Sequence, residues 1–191
     1  DDPAAITLAG HICWTLDEPA KAVASWEQCT QTHPEYAEAW NALGMDAFKK
    51  GDFEKAAERF LKSYGLSPQM ADGNLSMMID SLVNAGRPQD VVAVLEPLRR
   101  ARSPSAHAAV VLGQAYLQLK QYDKAKRELL EAVAIDPRLA TAHFALAQAM
   151  LRLGDDPGAQ KHREEYAKLK SAEIATSDLR RVDRLKSDLV E

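Results

Sequence analysis

A small residue, followed twelve positions later by an alanine or a valine, recurs through this chain about every 34 residues. The small positions are Gly10, Gly44, Gly113 and Ala147, with Ile79 standing in the third copy, and their partners are Ala22, Ala56, Val91, Ala125 and Ala159. Prolines close four copies at Pro34, Pro68, Pro104 and Pro137. A period of this length marks stacked helical hairpins, because one such unit cannot bury its hydrophobic face alone. The architecture follows: all-α, and built to present a surface for holding another protein, with no catalytic pocket.

Each copy reads as helix, short turn, helix. In the second, Trp40, Leu43, Gly44 and Ala47 share one face at helical spacing and end at Lys50-Gly51. Gly51 suits a left-handed helix end, and Asp52 can cap the next helix. Phe53, Ala56, Phe60 and Ser63 mark the second helix, which Ser67-Pro68 stops. Gly44 and Ala56 are expected to bring two backbones close, while Trp40 and Phe60 fill the space between neighbouring hairpins. The prolines Pro19, Pro88 and Pro157 fall at second-helix starts, where a missing N–H costs nothing.

Trp40, Leu43, Gly44, Phe53, Ala56, Phe60 and Pro68 resemble the tetratricopeptide repeat, W-x2-L-G at one end and A-x3-F…P at the other. The fourth copy fits nearly as well, with Leu112-Gly113, Tyr116, Tyr122, Ala125, Leu129, Ala132 and Pro137. The resemblance implies an α-α superhelix, a right-handed solenoid over residues 3–170. Its repeats lie at about 3–36, 37–70, 72–105, 106–139 and 140–170, and residues 171–191 form a C-terminal capping or linker helix. Arg163 takes the slot of Phe60, as suits a terminal repeat on which nothing stacks. Beyond residue 170, Thr176-Ser177-Asp178 offers capping oxygens before a stripe of Leu179, Val182, Leu185 and Leu189. That stripe reads either as a solvating cover for the solenoid end or as a coiled-coil stem for self-association.

A net charge of −4 gives no electrostatic case for nucleic acid. No apolar run approaches the roughly 18 residues that span a bilayer. The chain starts without Met and falls directly into a repeat, which reads as a piece of something longer and leaves the compartment open between cytoplasmic and extracytoplasmic. Cys13 and Cys29 sit on opposite helices of one hairpin, either as two small buried side chains or as a disulfide. The five histidines are scattered, and no phosphate loop, nucleophile elbow or HExxH helix occurs. The expectation is a non-enzyme without cofactor or metal. His143, in the slot of Trp40, is expected to pack.

The resemblance also implies that first helices line a concave groove. Carried onto this chain, its register gives Thr7, His11, Trp14 and Thr15, then Glu38, Asn41, Met45, Phe48 and Lys49. It continues with Ser76, Asp80, Val83 and Asn84, with His107, Val110, Gln114, Leu117 and Gln118, and with Thr141, Phe144, Gln148, Leu151 and Arg152. Asn41, Asn84, Gln114, Gln118 and Gln148 are amides that donate and accept at once, and a ladder of them suits a peptide main chain. Phe48, Leu117, Phe144 and Leu151 offer apolar contacts beside them. The lysine-and-asparagine clamp with which some members grip C-terminal carboxylates is absent: Thr7, His11, Ser76 and Asp80 stand where it would need charge. Binding is therefore expected to depend only modestly on salt. The leading reading is a protein–protein interaction module for a peptide or helix. The rival is a scaffolding domain whose groove holds its own flanking segment or another subunit.

Overall fold

The computed structural model describes residues 2–101 and 105–188, with side chains described except at 70–72, 100–101 and 177–188. Ten helices and one short 3-10 turn account for the described elements, and no strand occurs among them. They are α1 Pro3–Thr15, α2 Pro19–Thr32, α3 Ala37–Lys49, α4 Phe53–Leu66 and α5 Ala71–Asn84. After these come α6 Pro88–Ala101, α7 Ala106–Gln118, α8 Tyr122–Ile135, α9 Ala140–Arg152 and α10 Asp156–Asp188. The chain forms two compact units, Asp1–Arg87 with α1–α5 and Pro88–Glu191 with α6–α10. In the first, α1 pairs with α2 and α3 with α4; in the second, α7 pairs with α8 and α9 with α10. Each pair stacks on its successor through the second helix, as α2 does on α3, α4 on α5 and α8 on α9.

One turn is repeated five times. Its key residue is left-handed: Asp17 (φ 61°), Gly51 (φ 75°), Gly86 (φ 66°), Lys120 (φ 59°) and Gly154 (φ 76°). In the second copy the Gly51 N–H donates to Phe48 O at 3.0 Å and the Asp52 N–H to Ala47 O at 2.9 Å. These nested bonds satisfy carbonyls that the ending helix leaves open. Asp52 then accepts from the Lys55 N–H at 3.3 Å, the expected cap. Pro19 and Pro88 open α2 and α6, and Pro157 is the second residue of α10.

The alanine seam is buried: Ala22, Ala56 and Ala125 expose nothing, and Ala159 and Val91 almost nothing. The small residues of the first helices also have a role not read in the sequence. A methyl built on Gly44 would come within 2.8 Å of the Phe60 ring, on Gly10 within 2.3 Å of Trp26, and on Gly113 within 2.4 Å of Leu129. Each glycine is thus a notch for the large side chain sixteen residues on. Phe60 is therefore seated against its own hairpin's first helix. Trp26, with Ala22, meets Ala42 and Leu43 of the next hairpin, and Cys13, Trp14, Val23 and Met45 pack around them.

Both cysteines are free, Cys29 buried and Cys13 half-buried. Cys29 occupies the slot of Ser63 and copies its bonding. Ser63 Oγ donates to Ala37 O at 2.9 Å, and Cys29 Sγ lies 3.6 Å from Pro3 O. At the first-helix slot, Trp40 Nε1 donates to Pro34 O at 2.9 Å, and His143 Nε2 meets Pro137 O at 3.0 Å. His143 packs as expected, and it also ties the preceding proline turn to its own helix. At the C-terminus no new helix begins at Thr176, because α10 runs unbroken from Asp156 to Asp188. Thr176 Oγ1 instead donates back to Ala172 O at 2.8 Å. The side chains of the stripe at Leu179, Val182, Leu185 and Leu189 lie outside the described residues, as does Pro104.

Candidate functional site

The second unit holds a cleft of about 590 Å³. One face of α9 supplies Phe144, Gln148, Leu151 and Arg152, a spacing that aligns them on a helix. The last turn of α7 adds Leu117 and Gln118, and the turn leading into α8 adds Lys120 and Tyr122. Ala147 and Arg163 complete the lining. Six residues chosen from the sequence register thus meet here: Leu117, Gln118, Phe144, Gln148, Leu151 and Arg152. Phe144 is 47 % exposed and Leu151 45 %, large apolar side chains left half in water. Tyr166 of α10 braces Phe144 with ring centroids 5.2 Å apart.

The cleft owes one wall to a double departure from the repeat. Where other hairpins pair a glycine with Trp26, Phe60 or Leu129, the last pairs Ala147 with Arg163. The alanine methyl occupies the notch, and the exposed Arg163 lines the cleft. Lys120, Arg152 and Arg163 bring three cations to the lining, which contains no acidic residue. The nearby Asp155 is already committed. The Gly158 N–H, and then Lys126, hold its carboxyl below the usual carboxylate range.

The first unit treats its register positions differently. His11 lies 3.5 Å from Glu38 and against the Trp26 ring, and Lys49 sits 4.4 Å over the Trp14 ring. Asn41 is buried to 8 % exposure, Met45 packs on the inter-hairpin cluster, and Phe48 meets Phe53 edge-on at 5.7 Å. On α5, Ser76 Oγ donates to Asp80 at 3.4 Å and Asn84 Nδ2 to Asp80 O at 2.7 Å. Gln114 is half-buried and outside the cleft lining. Of the five amides, Gln118 and Gln148 are the two that line the cleft. Thr7 and Val110 are core residues, the former donating to Cys29 Sγ at 3.3 Å.

Sequence reasoning passed over Lys120 as a functional residue and read Arg163 only as polarity suited to a terminal repeat. Aligning the five turns would have flagged Lys120, since three copies place glycine there. It also passed over a polar cluster in which Arg99 pairs with Glu128 and with Glu131 at 2.5 Å, while the Tyr116 hydroxyl donates to Glu96. The histidine pair was missed too: His143 Nδ1 and His162 Nδ1 are 2.9 Å apart. A carbonyl only accepts, so Nε2 of His143 carries the proton toward Pro137 and its Nδ1 accepts from His162. Burial first, then the charge His143 would carry, keeps His162 below the ordinary histidine range.

Among the described residues, no group of His, Cys, Asp and Glu is arranged to hold a metal ion. No described helix is long and apolar enough to cross a membrane. Family models for the tetratricopeptide repeat match residues 8–71, and for the TPR repeat residues 113–154. Solved structures share the fold. YrrB, described as a TPR protein with an unusual peptide-binding site, superposes with TM-score 0.74 at 15 % identity over 94 % of this chain and 92 % of that one. MamA residues 41 to the end from Desulfovibrio magneticus RS-1 superposes at 0.66 with 21 % identity, covering 90 % and 97 %. MamA AMB-1 superposes at 0.69 with 19 % identity, covering 91 % and 96 %. The chain belongs to the tetratricopeptide repeat proteins, a family of protein–protein interaction modules.

Proposed function

We propose that this chain is a non-catalytic interaction module that binds a peptide or helical segment of another protein, and that the cleft between α7 and α9 is its principal contact. The observation that carries this is the half-exposed pair Phe144 and Leu151, set beside Gln118 and Gln148 at the register positions. Apolar side chains left in water gain by burial against a partner, roughly 25 cal/mol per Å². The two amides can satisfy N–H and C=O groups that a bound segment loses to desolvation. The register positions of the first unit, from His11 to Asn84, are candidate contacts of that unit by itself.

The test is retention of partner proteins by the immobilised chain. Phe144→Ala combined with Leu151→Ala should release them while the helical circular dichroism spectrum stays unchanged. Full retention by this variant would move the contact off the cleft.

A further inference from the structure

We propose that the segment bound in this cleft is acidic, an apolar anchor flanked by aspartate or glutamate side chains, read by Lys120, Arg152 and Arg163. The inference rests on the cleft being a peptide site and specifies its ligand. Its first ground is charge. Three cations border the apolar contacts Leu117, Phe144 and Leu151, no acidic residue lines the cleft, and no carboxylate pairs with the three among the described residues. The second ground is backbone. Lys120 adopts φ 59°, a left-handed conformation that costs a side chain with a Cβ and that Gly51, Gly86 and Gly154 supply freely in the equivalent turns. The bonds of the turn are the same with lysine as with glycine: Lys120 N–H to Leu117 O at 3.0 Å and Gln121 N–H to Tyr116 O at 2.9 Å. Lysine therefore adds nothing to the turn itself; what it adds is a cation at the cleft.

The third ground is Arg163. In the other hairpins with a first-helix glycine this slot holds an apolar side chain seated in the hairpin, and here it holds a charge lining the cleft. The cations come from three elements: the turn after α7, the end of α9, and α10. That spread suits carboxylates distributed along a segment, whereas a single terminal carboxylate would need them converged on one point. The earlier expectation of weak salt dependence, drawn from the first-helix positions alone, changes accordingly.

The experiment uses the full chain and three labelled twelve-residue peptides that alternate leucine or phenylalanine with glutamate, lysine or serine, read by fluorescence anisotropy. The glutamate peptide should bind at least about tenfold more tightly than the lysine peptide, and the preference should shrink at high salt. Arg152→Glu with Arg163→Glu should abolish the preference, read as the ratio of glutamate-peptide to lysine-peptide affinity. Lys120→Gly should lower affinity for the glutamate peptide severalfold yet raise the melting temperature by about 2–4 °C, since it relieves a strained residue. Amidating the peptide C-terminus should change nothing; a large loss would overturn the assignment to side-chain carboxylates. Equal binding of all three peptides, abolished by Phe144→Ala with Leu151→Ala, would overturn the acidic specificity and leave the cleft as a peptide site. Binding indifferent to both the cleft and the charge variants, or no binding of any peptide, would overturn both.

Discussion

Gly113→Ala offers the sharpest test of how these hairpins are held together, because its effect should change sign with a single neighbour. The added methyl would lie 2.4 Å from Leu129 Cγ and 2.7 Å from Cδ2, where carbon atoms normally approach to about 3.5–4.0 Å. Cγ is a branch point close to the backbone, so the side chain cannot simply swing aside and α7 and α8 must separate. Overpacking of this kind costs about 1–3 kcal/mol. Against it stands a helix-propensity gain of about 1 kcal/mol for replacing glycine by alanine. The balance in the wild-type background is a loss of about 1 kcal/mol. In a Leu129→Ala background, itself weakened by about 2–5 kcal/mol, the clash is gone and only the propensity gain remains. Gly113→Ala should then stabilise by about 1 kcal/mol. Urea unfolding followed by circular dichroism on the four members of the cycle measures both effects. Gly65→Ala serves as the control, since nothing lies within 4 Å of the built methyl; it should be neutral to stabilising in either background. The same effect of Gly113→Ala with and without Leu129 would refute the notch.

Two further outcomes follow from the hydrogen bonds made at the first-helix slot of Trp40 and His143. Trp40→Phe keeps an aromatic side chain but loses the indole N–H and its 2.9 Å bond to Pro34 O, and should lower stability by about 0.5–1.5 kcal/mol in the same urea assay. His162 has its pKa lowered by burial, so its neutral form favours the folded state: the stabilisation is whole above the unfolded value of about 6.5 and is lost as pH falls toward the folded one. The melting temperature should drop more steeply on acidification below about pH 6.5 in the wild type than in His162→Gln, and parallel curves would refute the assignment.

The fold was legible because it repeats. The period, the alanine seam, the left-handed Gly51 and the Asp52 cap all reflect local backbone demands that show in residue type. The notch was not legible because spacing reveals that two residues share a hairpin but not which side chain fills which gap. The recurrence pairs Gly44 with Ala56, twelve residues on, and says nothing of Phe60, sixteen on, whose ring lies over the glycine. Exposure was equally out of reach. Asn41 and Phe144 hold the same register position, yet Asn41 is buried among its neighbours while Phe144 stands half in water beside Gln148 of the cleft. Whether an amide is free depends on the bulk of the adjacent hairpin, which no single repeat records. The continuity of α10 through Thr176 was also hidden, since Thr-Ser-Asp reads as a cap unless the helix preceding it is known not to stop.

The copies of a repeat act as controls for one another, and this changes what counts as a signal. A lysine in a turn or an arginine on a terminal helix is unremarked in an ordinary domain. Here Lys120 stands in a series with Gly51, Gly86 and Gly154, and Arg163 in a series with Trp26, Phe60 and Leu129. Each forgoes a gain that three other copies take: conformational freedom at position 120, and packing into a notch at position 163. Asp17 breaks the turn series too, but aspartate visits the left-handed region more readily than lysine, so its departure asks for less explanation. The two costly departures fall on the same cleft, and both bring a cation to it. Their coincidence is what distinguishes a recognition surface from the ordinary drift of solvent-exposed residues, and it locates specificity where the repeat gives up stability.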